Sequence, residues 1–470
     1  MQTKKDLYQA HRLMQQRLGM ALLQAEPDVP ETPMRRQNVA FFCGILIGVL
    51  IMAAFGIWGL LKPGGATKLE EPGQLLVEEE SGAKYIYSQR ERKLLPVANY
   101  VSARLLLDSP EVKVRNVSAN SLDDYDRGPL IGIQGAPDSL PVREKLVKAP
   151  WSVCVVEGPD RTGGRRQYTT LVGGIDVGGA AVDRDAMVVD DGRQKWVIWA
   201  DQRMRVSEKA ARGLSAQPRT VPSSWLNAIP EGKDFRGPKV PGLGHKVRGP
   251  DGKVAATVGQ VFTVPPVSGG AARWYVLMND GLAQITLTQA TLLLEDPAIK
   301  RAYGRRAAVP IPIDAASANA SPSKQSVMGG GLPATMPRVV NPPVSAPLCS
   351  VYADTLKGSV KAKVTAGGAV RLAPPASAPS QERFDQVILP AGGAAIAGQL
   401  PGENQLGAIS TYFLISDQGR RFAIQPAAEL AKLGYEATDV TPIPASLVRL
   451  IPEGPALNSA TALQPIQIGP

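Results

Sequence analysis

The sequence predicts a membrane-anchored α+β protein with an N-terminal amphipathic helix, one transmembrane helix and a β-rich extracytoplasmic domain. In that domain, four small α/β repeats are expected to surround a disulfide-linked central domain with pseudo-twofold symmetry. Three observations support this fold class. One uncharged stretch, 39–61, is long enough to cross a bilayer. Similar short segments recur after it, and two similar strands between them each carry a cysteine.

The transmembrane helix is predicted at 39–61, a stretch without a charge or a proline. At about 1.5 Å per residue it spans roughly 35 Å, more than the hydrocarbon core of about 30 Å. Backbone groups in lipid must bond within their own segment, so the stretch is expected to be helical. A buried core helix of this length would normally carry some polar side chains, which makes that alternative the weaker one.

Basic residues before the stretch predict the orientation of the chain. Arg35 and Arg36 precede it closely, and the first 38 residues carry six Lys or Arg against four Asp or Glu. This bias favours a cytoplasmic N-terminus. A cleaved signal peptide fits less well, because its apolar region is usually about 7–15 residues long. We therefore predict a single-pass protein of the cytoplasmic (inner) membrane, with the C-terminal domain outside the cytoplasm.

The cytoplasmic tail is expected to begin with an amphipathic helix over residues 3–23. Thr3 and Asp6 have the spacing of a capping box, and apolar residues recur after them at helical spacing. An isolated helix of this size cannot bury its apolar face. We therefore expect it to lie on the inner leaflet or on a cytoplasmic partner.

Internal repeats are the most informative feature of the remaining chain. The segments 221–232 and 443–454 align without a gap and read VPSSWLNAIPEG and IPASLVRLIPEG, and 117–128 is a weaker copy. The pattern predicts four copies of a unit made of a hairpin, a short helix, a turn and a second short helix. Each copy has a strand that begins with an aromatic residue, at Tyr85, Trp196, Trp274 or Tyr412.

The two outer cysteines lie in segments that resemble each other, 149–156 and 346–352. Disulfides persist outside the cytoplasm, and Cys154 and Cys349 are the only pair available there, so we predict that they are bonded. The third cysteine, Cys43, lies in the anchor. Repeats and cysteine strands follow one another in a nearly palindromic order, which predicts a pseudo-twofold body with the disulfide at its middle.

The predicted domains follow from these features. Repeats this small cannot bury a large core alone, so they are expected to pack on one another or on the central domain. The boundaries are 1–38 for the tail, 39–61 for the transmembrane helix, 62–135 for repeat 1, 136–180 for the first part of the central domain, 181–238 for repeat 2, 239–320 for repeat 3, 321–390 for a linker with the second part of the central domain, and 391–470 for repeat 4.

The sequence contains little that predicts catalysis, so no catalytic, cofactor-binding or metal-binding residue and no cofactor is predicted. The segment 249–253 comes nearest to a phosphate-binding loop, but it lacks the spacing and the hydroxyl and is expected to be a β-turn. Histidine occurs only at 11 and 245, which excludes a zinc site of His and Cys type. The carboxylate pairs at 123–124 and 190–191 lie in turn-like contexts. Trp196 and Trp274 have two interpretations, stacking on sugars or, more commonly, packing in the core.

In combination these motifs resemble the EccB family, single-span core components of type VII (ESX) secretion systems in actinobacteria. The resemblance covers nearly the whole chain. It rests on the basic start at 4–8, the anchor, the segment 117–138, both outer cysteines and the segment 444–457.

The resemblance implies an elongated outer body whose central domain carries one disulfide, at Cys154 and Cys349, between four modules similar to cell-wall-binding repeats. It also implies EccC-like motor ATPase, EccD-like and EccE-like membrane subunits and a mycosin protease as partners, self-association into a homo-oligomer, and no nucleic acid. We therefore expect a structural core subunit of a secretion complex. Two alternatives stay open: an ATP-hydrolysing component, since family members are sometimes labelled ATPases, and an anchored module that binds peptidoglycan.

Overall fold

The chain forms two compact units in the computed structural model. One consists of Met1–Leu94 and Val114–Gly128, and the other of Leu95–Lys113 and Pro129–Pro470. The structure describes residues 4–24, 34–61, 66–107, 109, 111–160, 162–214, 217–250, 252, 255–266, 269–327, 329–370 and 382–466.

Two helices begin the first unit, α1 (Lys4–Gln24) and α2 (Met34–Leu61). α1 lies where the N-terminal helix was predicted, although Thr3 of the expected cap is outside the described residues. α2 begins at Met34, earlier than the predicted start at 39. The prediction followed the apolar stretch alone, whereas the helix also includes Arg36 and the glutamine after it, whose side chains favour helix.

The next part of the chain forms repeat 1, half of a central sheet and repeat 2. Repeat 1 consists of β1 (Gln74–Glu78), β2 (Lys84–Ser88), β3 (Lys93–Val97), α3 (Tyr100–Leu107) and β4 (Lys113–Val117). The central strands β5 (Trp151–Pro159), β6 (Arg165–Gly173) and β7 (Ala180–Ala181) follow. Repeat 2 consists of β8 (Met187–Asp190), β9 (Lys195–Trp199), β10 (Gln202–Arg205), α4 (Glu208–Gly213), β11 (Arg219–Thr220) and α5 (Ser223–Ala228).

The remaining chain forms repeat 3, the other half of the central sheet and repeat 4. A hairpin of β12 (Lys246–Arg248) and β13 (Ala255–Thr257) precedes β14 (Val261–Val264), β15 (Arg273–Met278), β16 (Gly281–Ile285), α6 (Leu287–Glu295), α7 (Lys300–Tyr303), β17 (Ile311–Pro312) and α8 (Ala315–Ala320). The central strands are β18 (Leu348–Tyr352), β19 (Lys363–Ala366) and β20 (Gln386–Ile388). Repeat 4 consists of β21 (Ala395–Leu400), β22 (Tyr412–Ile415), β23 (Arg421–Ile424), α9 (Glu429–Lys432), β24 (Val440–Pro444), α10 (Ala445–Leu450) and α11 (Ser459–Ala462).

The four repeats share one strand order: β3-β2-β1-β4, β10-β9-β8-β11, β16-β15-β14-β17 and β23-β22-β21-β24. In the three repeats of the second unit, the first three strands are antiparallel and the fourth is parallel to the first. The hairpin predicted after Trp274 is present, with Met278 paired to Gly281. The predicted unit lacked its first and fourth strands, because a fourth strand such as Arg219–Thr220 is too short to show alternation.

The Pro-Glu-Gly motif closes the two repeats that match best in sequence. After α5 and α10 the chain pairs in parallel with the third strand, Glu231 with Arg203 and Glu453 with Arg421. In both pairs the guanidinium Nη2 lies 3.3 Å from the carboxylate Oε2. The two segments are therefore similar because each one pairs with the third strand of its own repeat at the same position.

A six-stranded sheet, ordered β20-β6-β5-β18-β19-β7, forms the centre of the second unit. β5 and β18 are antiparallel, and Cys154 lies directly opposite Cys349 at the middle of the sheet. The edge strands are exchanged: β7 follows β6 but pairs with β19, and β20 follows β19 but pairs with β6. The centre therefore has the predicted twofold order, broken at the edges because β7 is antiparallel to its neighbour and β20 is parallel.

The two faces of the central sheet have different cores, because successive strand residues point to opposite faces. On one face, Trp151 of β5 shares a fully buried cluster with Trp225 of α5 and Leu447 of α10. On the other, the disulfide packs with Val156 and Val172. Helix α3 packs against α9 and α11 in a separate cluster of the second unit.

Asp185 and Arg338 join the segment before β18 to the start of repeat 2. The Ala186 N–H donates to the Arg338 carbonyl at 2.8 Å, and Arg338 Nε donates to Asp185 Oδ1 at 3.0 Å. This hydrogen bond holds the pKa of Asp185 below its ordinary value. The folded state therefore binds fewer protons here than the unfolded state. The pair stabilises the fold above the unfolded pKa of about 3.9, and this gain is lost as the pH falls through the folded pKa.

We expect Asp185→Asn to lower the thermal unfolding midpoint of the detergent-solubilised chain at pH 7. The difference from wild type should shrink below about pH 4, where the wild-type carboxylate also loses its charge. Thermal unfolding of both proteins across this pH range measures the effect. A difference that is the same at neutral and acidic pH would contradict the assignment.

Candidate functional site

The helix α2 is the one membrane-span candidate within the described part of the chain. Residues Arg36–Leu60 have a mean hydropathy of 2.6, and the most apolar 18 residues of this stretch are not buried by the rest of the protein. Phe42 and Met52 are about 70% exposed, at 71% and 69%. Apolar surface of this extent needs lipid or protein around it. Arg36 stands exposed at the start of the span, and the side chain of Arg35 is outside the described residues.

The disulfide between Cys154 and Cys349 confirms the predicted pair. Both residues are fully buried at the junction of β5 and β18, where each half of the chain contributes one strand. On the opposite face, the Tyr352 hydroxyl donates to the Ala228 carbonyl at the end of α5. Burial raises the pKa of Tyr352, so it stays a neutral hydrogen-bond donor. These contacts attach repeat 2 to the central sheet.

Trp196 is a core residue, with 7% of its surface exposed. Its Nε1 donates to Asp191 Oδ2 at 3.3 Å, and the guanidinium carbons of Arg203 and Arg205 lie 5.2 and 5.6 Å from its ring centre. Burial lowers the pKa of Arg203, and the nearby Glu231 opposes that effect. Stacking on a sugar needs a free ring face, which this arrangement does not provide.

Repeat 4 contains the same combination of an arginine, an aromatic ring and a glutamate. Arg421 lies 5.0 Å from the Phe413 ring centre and 3.3 Å from Glu453. Neither arginine was predicted from the sequence, although the glutamates belong to the repeated Pro-Glu-Gly motif. Aligning the strands before each motif would have placed an arginine at the same position in both repeats. The clusters are cation–π and ion-pair contacts that tie each third strand to its returning segment.

The structure does not bring Trp274 together with Trp196. Trp274 lies half-buried in repeat 3 against the cluster that contains Val276 and Ile285. Trp196 belongs to the cluster that also contains Trp151 and Trp225. The two aromatic residues therefore do not form one binding surface.

The residues considered for catalysis lie in turns and loops. The Gly252 N–H donates to the Gly249 carbonyl at 2.9 Å, and residues 251 and 253 of the predicted β-turn lie outside the described residues. His245 is exposed in a loop. The carboxylates of Asp190 and Asp191 accept backbone N–H groups at the turn between β8 and β9. Among the residues that the structure describes, no group of three His, Cys, Asp or Glu could hold a metal ion.

Comparison with known proteins identifies the family. The family model described as "Type VII secretion system ESX-1, transport TM domain B" matches residues 1–467. The chain belongs to the EccB family. Curated relatives include the "ESX-3 secretion system ATPase EccB3" of Mycobacterium tuberculosis, 25% identical over 96% of this chain and 87% of the relative. EccB3 of Mycolicibacterium smegmatis is 27% identical over 96% and 88%, and EccB1 of M. tuberculosis is 25% identical over 98% and 94%.

Solved structures show the same fold. A chain of an intact ESX-5 inner membrane complex matches with a TM-score of 0.63 at 22% identity, over 100% of this chain and 96% of that one. The EccB3 dimer from the ESX-3 core complex matches with a TM-score of 0.61 at 22% identity, over 83% and 99%. The resemblance to EccB and the predicted fold class are therefore confirmed. The chain is a membrane-anchored component of type VII secretion.

Proposed function

We propose that this EccB protein anchors the translocation channel in the membrane and assembles its extracytoplasmic side. The observation that carries the proposal is one exposed apolar helix attached to a large domain whose aromatic and charged clusters hold its own repeats together. Chains of the same fold occur in an ESX-5 inner membrane complex and in the EccB3 dimer of an ESX-3 core complex. These assemblies support self-association and multi-subunit assembly for this chain as well.

The proposed topology is a single pass with residues 1–38 in the cytoplasm, supported by the basic bias that includes Arg36. EccC-like, EccD-like and EccE-like subunits and a mycosin are the proposed partners. Protease added to cells with a permeabilised outer envelope should digest the C-terminal domain and spare the N-terminal helix. Digestion of the N-terminal helix alone would contradict this topology and indicate the opposite orientation.

Two charges in the span should remove the protein from its complex. Ile47 and Ile51 are more than half exposed on α2. The double substitution Ile47→Arg with Ile51→Arg raises the free energy of membrane insertion by about 2.5–3.5 kcal/mol for each arginine near the bilayer centre. We expect loss of the protein from the membrane fraction, loss of the assembled complex on native gels, and loss of export.

The matched control replaces the same two residues with leucine and should behave as wild type. A strain that exports substrates through an intact complex while carrying the arginine variant, or no EccB at all, would contradict the proposed role.

ATP hydrolysis is the second candidate function, because the curated relatives carry "ATPase" in their names. The test is hydrolysis by the purified full chain, compared with single-residue variants that keep the wild-type unfolding midpoint. Activity that one such variant abolishes would support this candidate. Activity that every variant retains would belong to a contaminant.

A further inference from the structure

A basic cavity of about 530 Å³ lies between the segment 236–245 and the end of α6 with the residues that follow it. Three cationic side chains line it, Arg236, Lys239 and Arg301, and His245 is also part of the lining. Leu243 and Ile299 supply apolar wall. Its volume falls within the range of about 300–1,000 Å³ that is typical of small-molecule sites.

The cavity carries a net positive charge, because Arg236, Lys239 and Arg301 outnumber Asp296 in the lining and Asp234 next to Arg236. Arg236 has an ion pair, with 3.5 Å between its Nε and Asp234 Oδ2. Asp296 is the one carboxylate in the lining, and its Oδ1 accepts the Ala298 N–H at 2.8 Å. Lys239 and Arg301 have no acidic partner within 4 Å among the described residues. Lys239 and Arg301 are therefore the two cations available to contact a bound anion.

The wall of the cavity is held in place by close backbone contacts. A Cβ on Gly237 would lie 2.9 Å from the backbone N of Leu293, and one on Gly244 would lie 3.1 Å from Arg301 Cβ. The Gly244 N–H donates to the Val258 carbonyl at 3.0 Å, and the His245 N–H donates to the Gly242 carbonyl at 2.9 Å. The basic side chains therefore project from a backbone that is already fixed, which lowers the entropy lost on binding.

We propose that this cavity binds a phosphate group carried on a sugar or nucleoside body. Guanidinium groups match the geometry of phosphate oxygens, and a lysine ammonium adds a point charge. The apolar wall fits the ring that carries the phosphate. The ligand chemistry is the same whether the source is a phosphorylated envelope polysaccharide or a nucleotide, so the experiment compares the two. The site is separate from the proposed assembly role.

Equilibrium dialysis of the detergent-solubilised full chain tests the proposal with three probes: tripolyphosphate, ATP and a phosphomannan oligosaccharide. Tripolyphosphate should bind at low ionic strength and weaken as salt is added. Arg301→Gln with Lys239→Gln should weaken binding about tenfold or more, since each change removes a charge-assisted contact. Tighter binding of the phosphomannan oligosaccharide than of ATP would identify an envelope polysaccharide as the source of the phosphate. Tighter binding of ATP would identify a nucleotide.

Lys300→Gln is the matched control, because Lys300 precedes Arg301 on α7 but does not line the cavity. It should bind each probe as wild type does. Lys239→Gln alone provides a second variant if the double variant fails to fold. No binding of tripolyphosphate, equal weakening by the control, or equal binding of polyglutamate of the same charge would overturn the proposal.

Discussion

Reduction of the Cys154–Cys349 disulfide is expected to lower the free energy of unfolding by up to about 5 kcal/mol. The two cysteines are 195 residues apart, so the bond closes a long loop and removes much of the conformational entropy of the unfolded chain. The bond also joins the two halves of the central sheet at β5 and β18. Urea unfolding of the oxidised and the reduced full chain, followed by fluorescence, measures the difference.

Cys43→Ser is the control for this experiment, because Cys43 is exposed on α2 and has no disulfide. Its unfolding should match that of wild type under both conditions. Cys154→Ala with Cys349→Ala should resemble the reduced protein even without reductant. An unfolding midpoint that does not move on reduction would show that the crosslink adds nothing to the stability of the central sheet.

Trp225→Ala should destabilise the second unit by about 3–5 kcal/mol, since it leaves a large cavity in a packed core. Trp225 is fully buried in the cluster where α5 and α10 meet the central sheet. Its Nε1 has no hydrogen-bond partner among the described residues, so the expected loss comes from packing. The same urea unfolding experiment measures it.

The chain itself supplies the matched variant. Leu447 occupies the position of Trp225 in the aligned segment of repeat 4 and is also fully buried. Trp225→Leu should therefore cost clearly less than Trp225→Ala, because leucine keeps part of the apolar contact. Equal effects of the two substitutions, or none from alanine, would mean that this contact does not stabilise the fold.

The parts of the fold that the sequence predicted are those with long or repeated signals. The uncharged run predicted α2, and the pair of cysteine segments predicted the middle of the central sheet. The fourth strands were missed because residues such as Arg219 and Thr220 form a strand only through pairing with β8. The order of the edge strands was missed for the same reason, since β7 consists of two alanines.

The sequence predicted the site less completely. The cysteine pair could be inferred from topology and count, but Trp196 had two interpretations until its burial was known. The arginines at 203 and 421 lie in short strands, and their contact with aromatic rings depends on the register of β9 with β10 and of β22 with β23. The basic cavity combines Lys239 with Arg301, residues that no motif connects.

The exchange of β7 and β20 has a consequence for how the protein is made. A ribosome releases β5 and β6 long before their partners β18 and β20 exist, so a growing chain carries exposed strand edges that invite aggregation. Pairings between residues so distant in sequence also form slowly. A nascent chain cut short before Ile388 leaves β6 without its outer neighbour. The central sheet can therefore be completed only after β20 has been synthesised.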